Sequence, residues 1–260
     1  MPVVQVNGID LYYKEAGNKA HPPLLLLHGL TSHHHRFIRE IEVFKKDFYV
    51  IAVDARGHGK SDRPAEFTLE DHIKDVIALM DALDLDKASL LGVSMGSYIA
   101  QGVAIKQPDR VKKMILIGAK AHGHTSSMSQ LFSEHAEELK GMSFEQQMNR
   151  LAKYMFYDLR AVGRWLRDTE KRELALSAKE QQVARKALAG FDFRPNLSKV
   201  KAKTLVISGT YDGLNPPKDG REISELIPRT TFMEFTKSGH APHVEEPEKF
   251  IQVVSEFLRE

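Results

Sequence analysis

The sequence contains no cysteine. Disulfides, thiolate metal sites and a thiol nucleophile are thereby excluded, and the absence fits a reducing compartment. An excess of either charge is lacking too: 37 Lys and Arg stand against 35 Asp and Glu, a formal net charge of +2. The two signs are interspersed, so no basic face for nucleic acid is indicated. Apolar runs such as Leu24 to Leu27 are far too short to span a bilayer. Met1-Pro2-Val3-Val4-Gln5 has no basic stretch leading into an apolar one, so no signal peptide is visible. Internal repeats and low-complexity segments are also missing. The expectation is a cytoplasmic protein, monomer or homodimer, with neither nucleic acid nor membrane as partner. Its 260 residues suit one large domain, or one domain carrying an insertion.

What is present is an alternation of short apolar runs with longer amphipathic ones, the pattern of a mostly parallel sheet covered by helices. Asn7-Gly8 between Val3 to Val6 and Ile9 to Lys14 is a hairpin signal. Strands are expected at Leu24 to Leu27, Tyr49 to Val53, Ala88 to Leu91, Lys113 to Ile117, Thr204 to Ser208 and Thr231 to Phe235. Helices are expected around His34 to Lys46, after Thr68 with Asp71 completing a capping box, from Ser97 to about Lys106, at Asp219 to Leu226 and at Pro247 to Leu258. From about residue 120 to 189 the strand signal disappears and the chain reads as helical. We therefore expect an α/β fold with a mostly parallel sheet of about eight strands. Residues 1–119 and 190–260 form its two parts, and residues 120–189 are an inserted helical cap over the carboxyl edge.

Gly92-Val93-Ser94-Met95-Gly96 matches G-x-S-x-G and falls between an expected strand and an expected helix. A serine at such a sharp turn is held in a strained conformation, with its hydroxyl at the carboxyl edge of the sheet above a helix N-terminus. A serine hydroxyl needs a base. His240, in Ser238-Gly239-His240, follows the last expected strand and so sits at that same edge. Gly239 permits a tight turn that aims it inward. His243 is the competing histidine, while His21, His72 and His135 have bland readings, the last two on helix surfaces. Asp212, just after Thr204 to Ser208, completes the chain order nucleophile, acid, base used with this elbow. Asp219 is a weaker candidate, because it opens the next helix, where the dipole alone favours an acid.

Acyl transfer needs two donors aimed at the developing oxyanion. The backbone N–H of Met95 and that of Leu30, in the loop His28-Gly29-Leu30, are assigned to it. The His28 side chain is expected to fix that loop, and Asp54, Arg56 and His58 to tie down another. The run His33-His34-His35 lacks metal-ligand spacing, so no metal is expected. No organic cofactor is needed either.

These motifs together (His28-Gly29, Asp54-x-Arg56-Gly57-x-Gly59-x-Ser61, Gly92-x-Ser94-x-Gly96, Asp212 and Ser238-Gly239-His240) resemble the α/β-hydrolase superfamily over nearly the whole chain. The resemblance is strongest to small bacterial carboxylesterases and the 3-oxoadipate enol-lactonase group. It implies a serine hydrolase of small carboxylic esters or lactones working through an acyl-enzyme. Ser94 rather than aspartate at the elbow disfavours haloalkane dehalogenases and epoxide hydrolases, and Met95 rather than tryptophan disfavours prolyl iminopeptidases. Carbon–carbon bond hydrolases and perhydrolases share the triad and stay open, as does a slow-turnover ligand sensor. Within the cap, Trp165, Phe132 and Tyr154 are the expected substrate-binding residues, in an apolar pocket. Arg164 and Arg167 are the alternative, gripping a substrate carboxylate.

Overall fold

The structure, a computed structural model, describes residues 2–260. Strands β1 (Val3–Val6) and β2 (Ile9–Ala16) pair as a hairpin. Asn7 and Gly8 both take positive φ, 47° and 76°, the backbone a two-residue hairpin turn needs. β3 (Pro23–Leu27), helix α1 (Ile38–Phe44) and β4 (Tyr49–Val53) follow. Then come α2 (Leu69–Ala82), β5 (Ala88–Val93), α3 (Met95–Lys106) and β6 (Val111–Ile117). The strands run β1-β2-β4-β3-β5-β6 and continue with β7 (Lys203–Gly209) and β8 (Thr230–Phe235). From β4 to β8 every neighbouring pair is parallel, whereas β2 meets β1 and β4 antiparallel.

The four leucines of β3 show how the layers form. Leu25 and Leu27 enter a core with α2 and α3, while Leu24 and Leu26 enter the opposite core, with Phe37, Ile41 and Phe44. A central parallel strand buried on both faces has no polar side, which is why its sequence is a continuous apolar run. The capping box at Thr68 is present: its hydroxyl accepts from the Asp71 N–H, and the Asp71 carboxylate accepts from the Thr68 N–H.

Between β6 and β7 the chain leaves the sheet for five helices: α4 (Ser127–Glu134), α5 (Ala136–Leu139), α6 (Phe144–Met155), α7 (Leu159–Asp168) and α8 (Ala178–Lys186). Their own small core is Leu131, Leu139 and Leu151, and a bridge between His122 and Asp192 joins the two ends of the excursion. After β7 come α9 (Pro217–Leu226), β8, the short α10 (Pro242–Glu245) and α11 (Pro247–Arg259), whose Phe250, Val254 and Phe257 close the second core.

Two local expectations need correcting. The helix expected from His34 begins only at Ile38, after a 3-10 turn at His34–Phe37. There the Asp54 carboxylate accepts from the His34 backbone N–H (2.6 Å) and meets its ring Nδ1 (2.9 Å), which pins the chain before a helix can form. His72 is buried rather than on a helix surface, since α2 packs against α3 and β1 and carries its histidine inward.

Candidate active site

The turn from β5 to α3 is where the sequence leaves the backbone least choice. Ser94 stands at φ 51°, ψ −115°, a region a non-glycine residue enters only when its surroundings over-determine it. Two glycines supply the room. A Cβ at Gly96 would overlap the Leu27 carbonyl of β3, and one at Gly92 would overlap the Gly96 carbonyl, so neither helix nor strand could close on the turn. The Ser94 N–H donates to the Ile117 carbonyl at 2.8 Å, fixing the turn to β6.

Asp212 and His240 come from the loops after β7 and β8. Asp212 is buried, and its Oδ1 accepts from the Leu214 and Asn215 backbone N–H groups at 2.9 and 3.0 Å. Its Oδ2 accepts from Nδ1 of His240 at 2.8 Å. Nδ1 is therefore the protonated ring nitrogen, and Nε2 is left with a lone pair. Burial disfavours the charged imidazolium, but the charge and hydrogen bond of Asp212, helped by Glu245, outweigh it, and the His240 pKa lies above its ordinary value. Ser94 and His240 line one cavity of about 480 Å³, a volume suited to a small ligand.

The loop after β3 borders the same cavity through Gly29 and Leu30. A Cβ on Gly29 would lie 3.5 Å from that of Ser94. Among the described residues, neither the Leu30 nor the Met95 amide finds an acceptor within the chain. Thr31, next along, is held at φ 58°, an unusual state for a β-branched residue. His28 accepts from the Ala55 N–H at Nε2 (3.0 Å) and donates from Nδ1 to the Gly29 carbonyl (2.7 Å), clamping the loop. Burial pushes its pKa down to about 3, so the ring stays neutral. Asp54 similarly fastens its loop, accepting from the Lys60 N–H at 2.9 Å, and Arg56 forms an ion pair with Asp75 at 2.7 Å.

His243 also reaches the cavity, but among the described residues it pairs with no carboxylate. It lies edge-on to Trp165 (5.7 Å) and Phe250 (5.9 Å), and burial, reinforced by His240, lowers its pKa to about 3. Trp165 lines the cavity, held by its Nε1 hydrogen bond to the Arg36 carbonyl. Phe132 and Tyr154 do not line it. Phe132 stacks near Phe144, and Tyr154 stacks on His135 and donates to Glu138 at 2.6 Å, so both serve the inserted helices' own packing. Arg164 and Arg167 are exposed and lie outside the cavity.

Sequence reasoning did not single out three residues that organise the site. Asn215 donates to the Tyr98 hydroxyl (2.8 Å) and the Gly118 carbonyl (2.7 Å), tying the acid loop to β6. Ser127, which opens α4, donates to Asn215 at 2.7 Å. Glu245 holds the histidine loop. Its Oε1 accepts from Gly239 (3.0 Å) and Ala241 (3.2 Å), and its Oε2 from Tyr157 (2.6 Å) and Asp158 (2.9 Å) of the insertion. The His240 N–H donates to the Met155 carbonyl at 2.7 Å. Gly239 also lets the insertion approach: a Cβ there would overlap the same Met155 carbonyl.

Comparison with known proteins supports the fold. A family model described as the alpha/beta hydrolase fold matches residues 22–247. The chain is 27% identical over 264 residues to 3-oxoadipate enol-lactonase 2 of Acinetobacter baylyi, covering 96% of this chain and 94% of that protein. Among solved structures, the enol-lactonase from Burkholderia xenovorans superposes with TM-score 0.83 at 25% identity, with all of both chains covered. A thermophilic esterase from Thermogutta terrifontis superposes with TM-score 0.80 at 28% identity, covering 99% of this chain and 96% of that one. No helix of the described residues is long and apolar enough to cross a membrane. An eight-stranded sheet in this order, with the elbow serine and a family match across most of the chain, places the protein in the α/β-hydrolase family.

Proposed function

We propose that the protein hydrolyses small carboxylic esters or lactones through an acyl-enzyme formed on Ser94, with residues 120–189 as its cap. The observation that carries this reading is the pairing of His240 Nδ1 with Asp212 at 2.8 Å beside a cavity that also exposes Ser94. With Nδ1 occupied, Nε2 of His240 takes the Ser94 proton as the hydroxyl attacks the carbonyl. Asp212 holds the tautomer and stabilises the imidazolium. The free amides of Leu30 and Met95 stabilise the tetrahedral oxyanion. His240 then protonates the leaving alcohol and activates the water that releases the acid. Every proton taken is returned, so the triad needs no cofactor for this chemistry. The names of the lactonase and esterase relatives support the same reaction class.

The test is a panel of p-nitrophenyl esters and lactones of graded length, run against wild type and Ser94→Ala. Turnover should vanish in the variant while the circular dichroism spectrum is retained. A fluorophosphonate probe should label wild type only. Labelling that persists in Ser94→Ala would overturn the assignment.

A further inference from the structure

Lys120 has no task in the reaction just described, yet its side chain lines the same cavity as Ser94 and is 9% exposed. Its ammonium donates to the Thr125 carbonyl and the Ser127 hydroxyl, each at 2.9 Å. An ammonium carries three N–H donors, so one remains. Lys120 enters no ion pair among the described residues. Burial lowers its pKa, and the acid that faces it electrostatically, Asp219, is itself pushed up to about 6 by burial and makes no bond to it.

The rest of the wall has the same sign. Arg36 and Arg185 line the cavity, whereas no Asp or Glu among the described residues does. Arg36 is engaged, donating to the Leu166 carbonyl (2.9 Å) and Thr169 (2.6 Å) and lying over the Trp165 ring. Arg185, exposed at the cavity's edge, makes one side-chain hydrogen bond among the described residues, to Gln181 at 3.2 Å. A buried cation without a counter-ion is costly, and an arriving anion removes the cost. The ammonium is also aimed by a built support, since the Ser127 hydroxyl that accepts from it donates in turn to Oδ1 of Asn215, the residue that accompanies the Asp212 loop.

We propose that Lys120 is an anion-binding residue of the catalytic cavity, and that the substrates are esters or lactones bearing a carboxylate. This rests on the hydrolase reading and adds the substrate class to it. The anion site lies on Lys120, in a cavity that Arg185 also lines, and not on the exposed Arg164 and Arg167 outside it.

The experiment compares kcat/KM for p-nitrophenyl butyrate with that for mono-p-nitrophenyl glutarate, which has a free carboxylate. Wild type should prefer the glutarate ester by at least about tenfold at low salt, as a charge-assisted contact in a closed site predicts. That ratio should fall about tenfold or more in Lys120→Met, recover largely in Lys120→Arg, and stay at the wild-type value in Arg164→Ala. Binding of glutarate to Ser94→Ala protein, measured by calorimetry, reads the same site without turnover. A wild type that favours the butyrate ester and binds no glutarate overturns the proposal, as does a ratio unmoved in Lys120→Met. Should Lys120→Met fail to fold, the wild-type ratio and the glutarate titration decide alone. If neither ester is hydrolysed but glutarate binds through Lys120, the anion site stands and the hydrolase reading falls.

Discussion

Acidification should unfold this protein earlier than its carboxylates alone would dictate. Burial lowers the pKa of several histidines, furthest for His28, His72 and His243, each to about 3, and for His33, to about 4. In the unfolded chain each titrates near 6.5. Their folded pKa values are depressed, so the stability they permit is intact above pH 6.5 and is lost as pH falls towards the folded values. At pH 5, about 1.5 pH units below that unfolded value, protonation favours the unfolded state by about 2 kcal/mol per histidine at 1.36 kcal/mol per pH unit. Four such groups give on the order of 8 kcal/mol, comparable to the ~5–15 kcal/mol that holds a domain together. His240 works the other way: its raised pKa adds stability below 6.5, which offsets part of the loss. His72 isolates one contribution, because both its ring nitrogens are buried without partners. Urea titrations of wild type and His72→Leu at pH 7.5 and 5.0, followed by the fluorescence of Trp165, give the difference. The variant should lose about 2 kcal/mol less than wild type between the two pH values. Equal losses in the two proteins would refute the argument.

Other outcomes follow from the site. His240→Ala should lower kcat by several orders of magnitude, as removing a triad base does, whereas His243→Ala should cost far less; ester hydrolysis by the two variants decides. Asp212→Asn should be nearly as damaging as the histidine change, since an amide permits the wrong tautomer. With His240 titrating above 6.5 and needed neutral, kcat/KM should fall on acidification through a midpoint higher than that value, and a pH–rate profile locates it. Gly96→Ala should cost more than about 2 kcal/mol in urea unfolding, because its Cβ would overlap the Leu27 carbonyl. Glu245→Gln should lower kcat with little change in KM, because an amide cannot accept at both ends; a rise in KM alone would contradict it.

The sheet was legible because each of its central strands is buried on both faces, which leaves apolar runs such as Leu24 to Leu27 between turn residues. The elbow could be read because only glycine fits at 92 and 96. Asp212 and His240 could be placed because loops after parallel strands emerge at one edge. Legibility failed where contacts are long-range and polar. Asn215 meets Tyr98 across 117 residues of sequence, and nothing local marks either as a partner. Lys120 reads as a surface lysine after a strand, and only the fold of the insertion buries it. Phe132 and Tyr154 carry the same aromatic signal as Trp165, since packing inside a cap and lining a pocket make the same compositional demand.

The four bonds gathered on Glu245 have a consequence for timing. One carboxylate grips the histidine loop with one oxygen and the insertion with the other. Any lifting of the insertion to admit substrate therefore pulls on the anchor of the general base, and breaks the Met155 carbonyl's hold on His240 as well. Seating of the insertion and placement of His240 are thus one mechanical event.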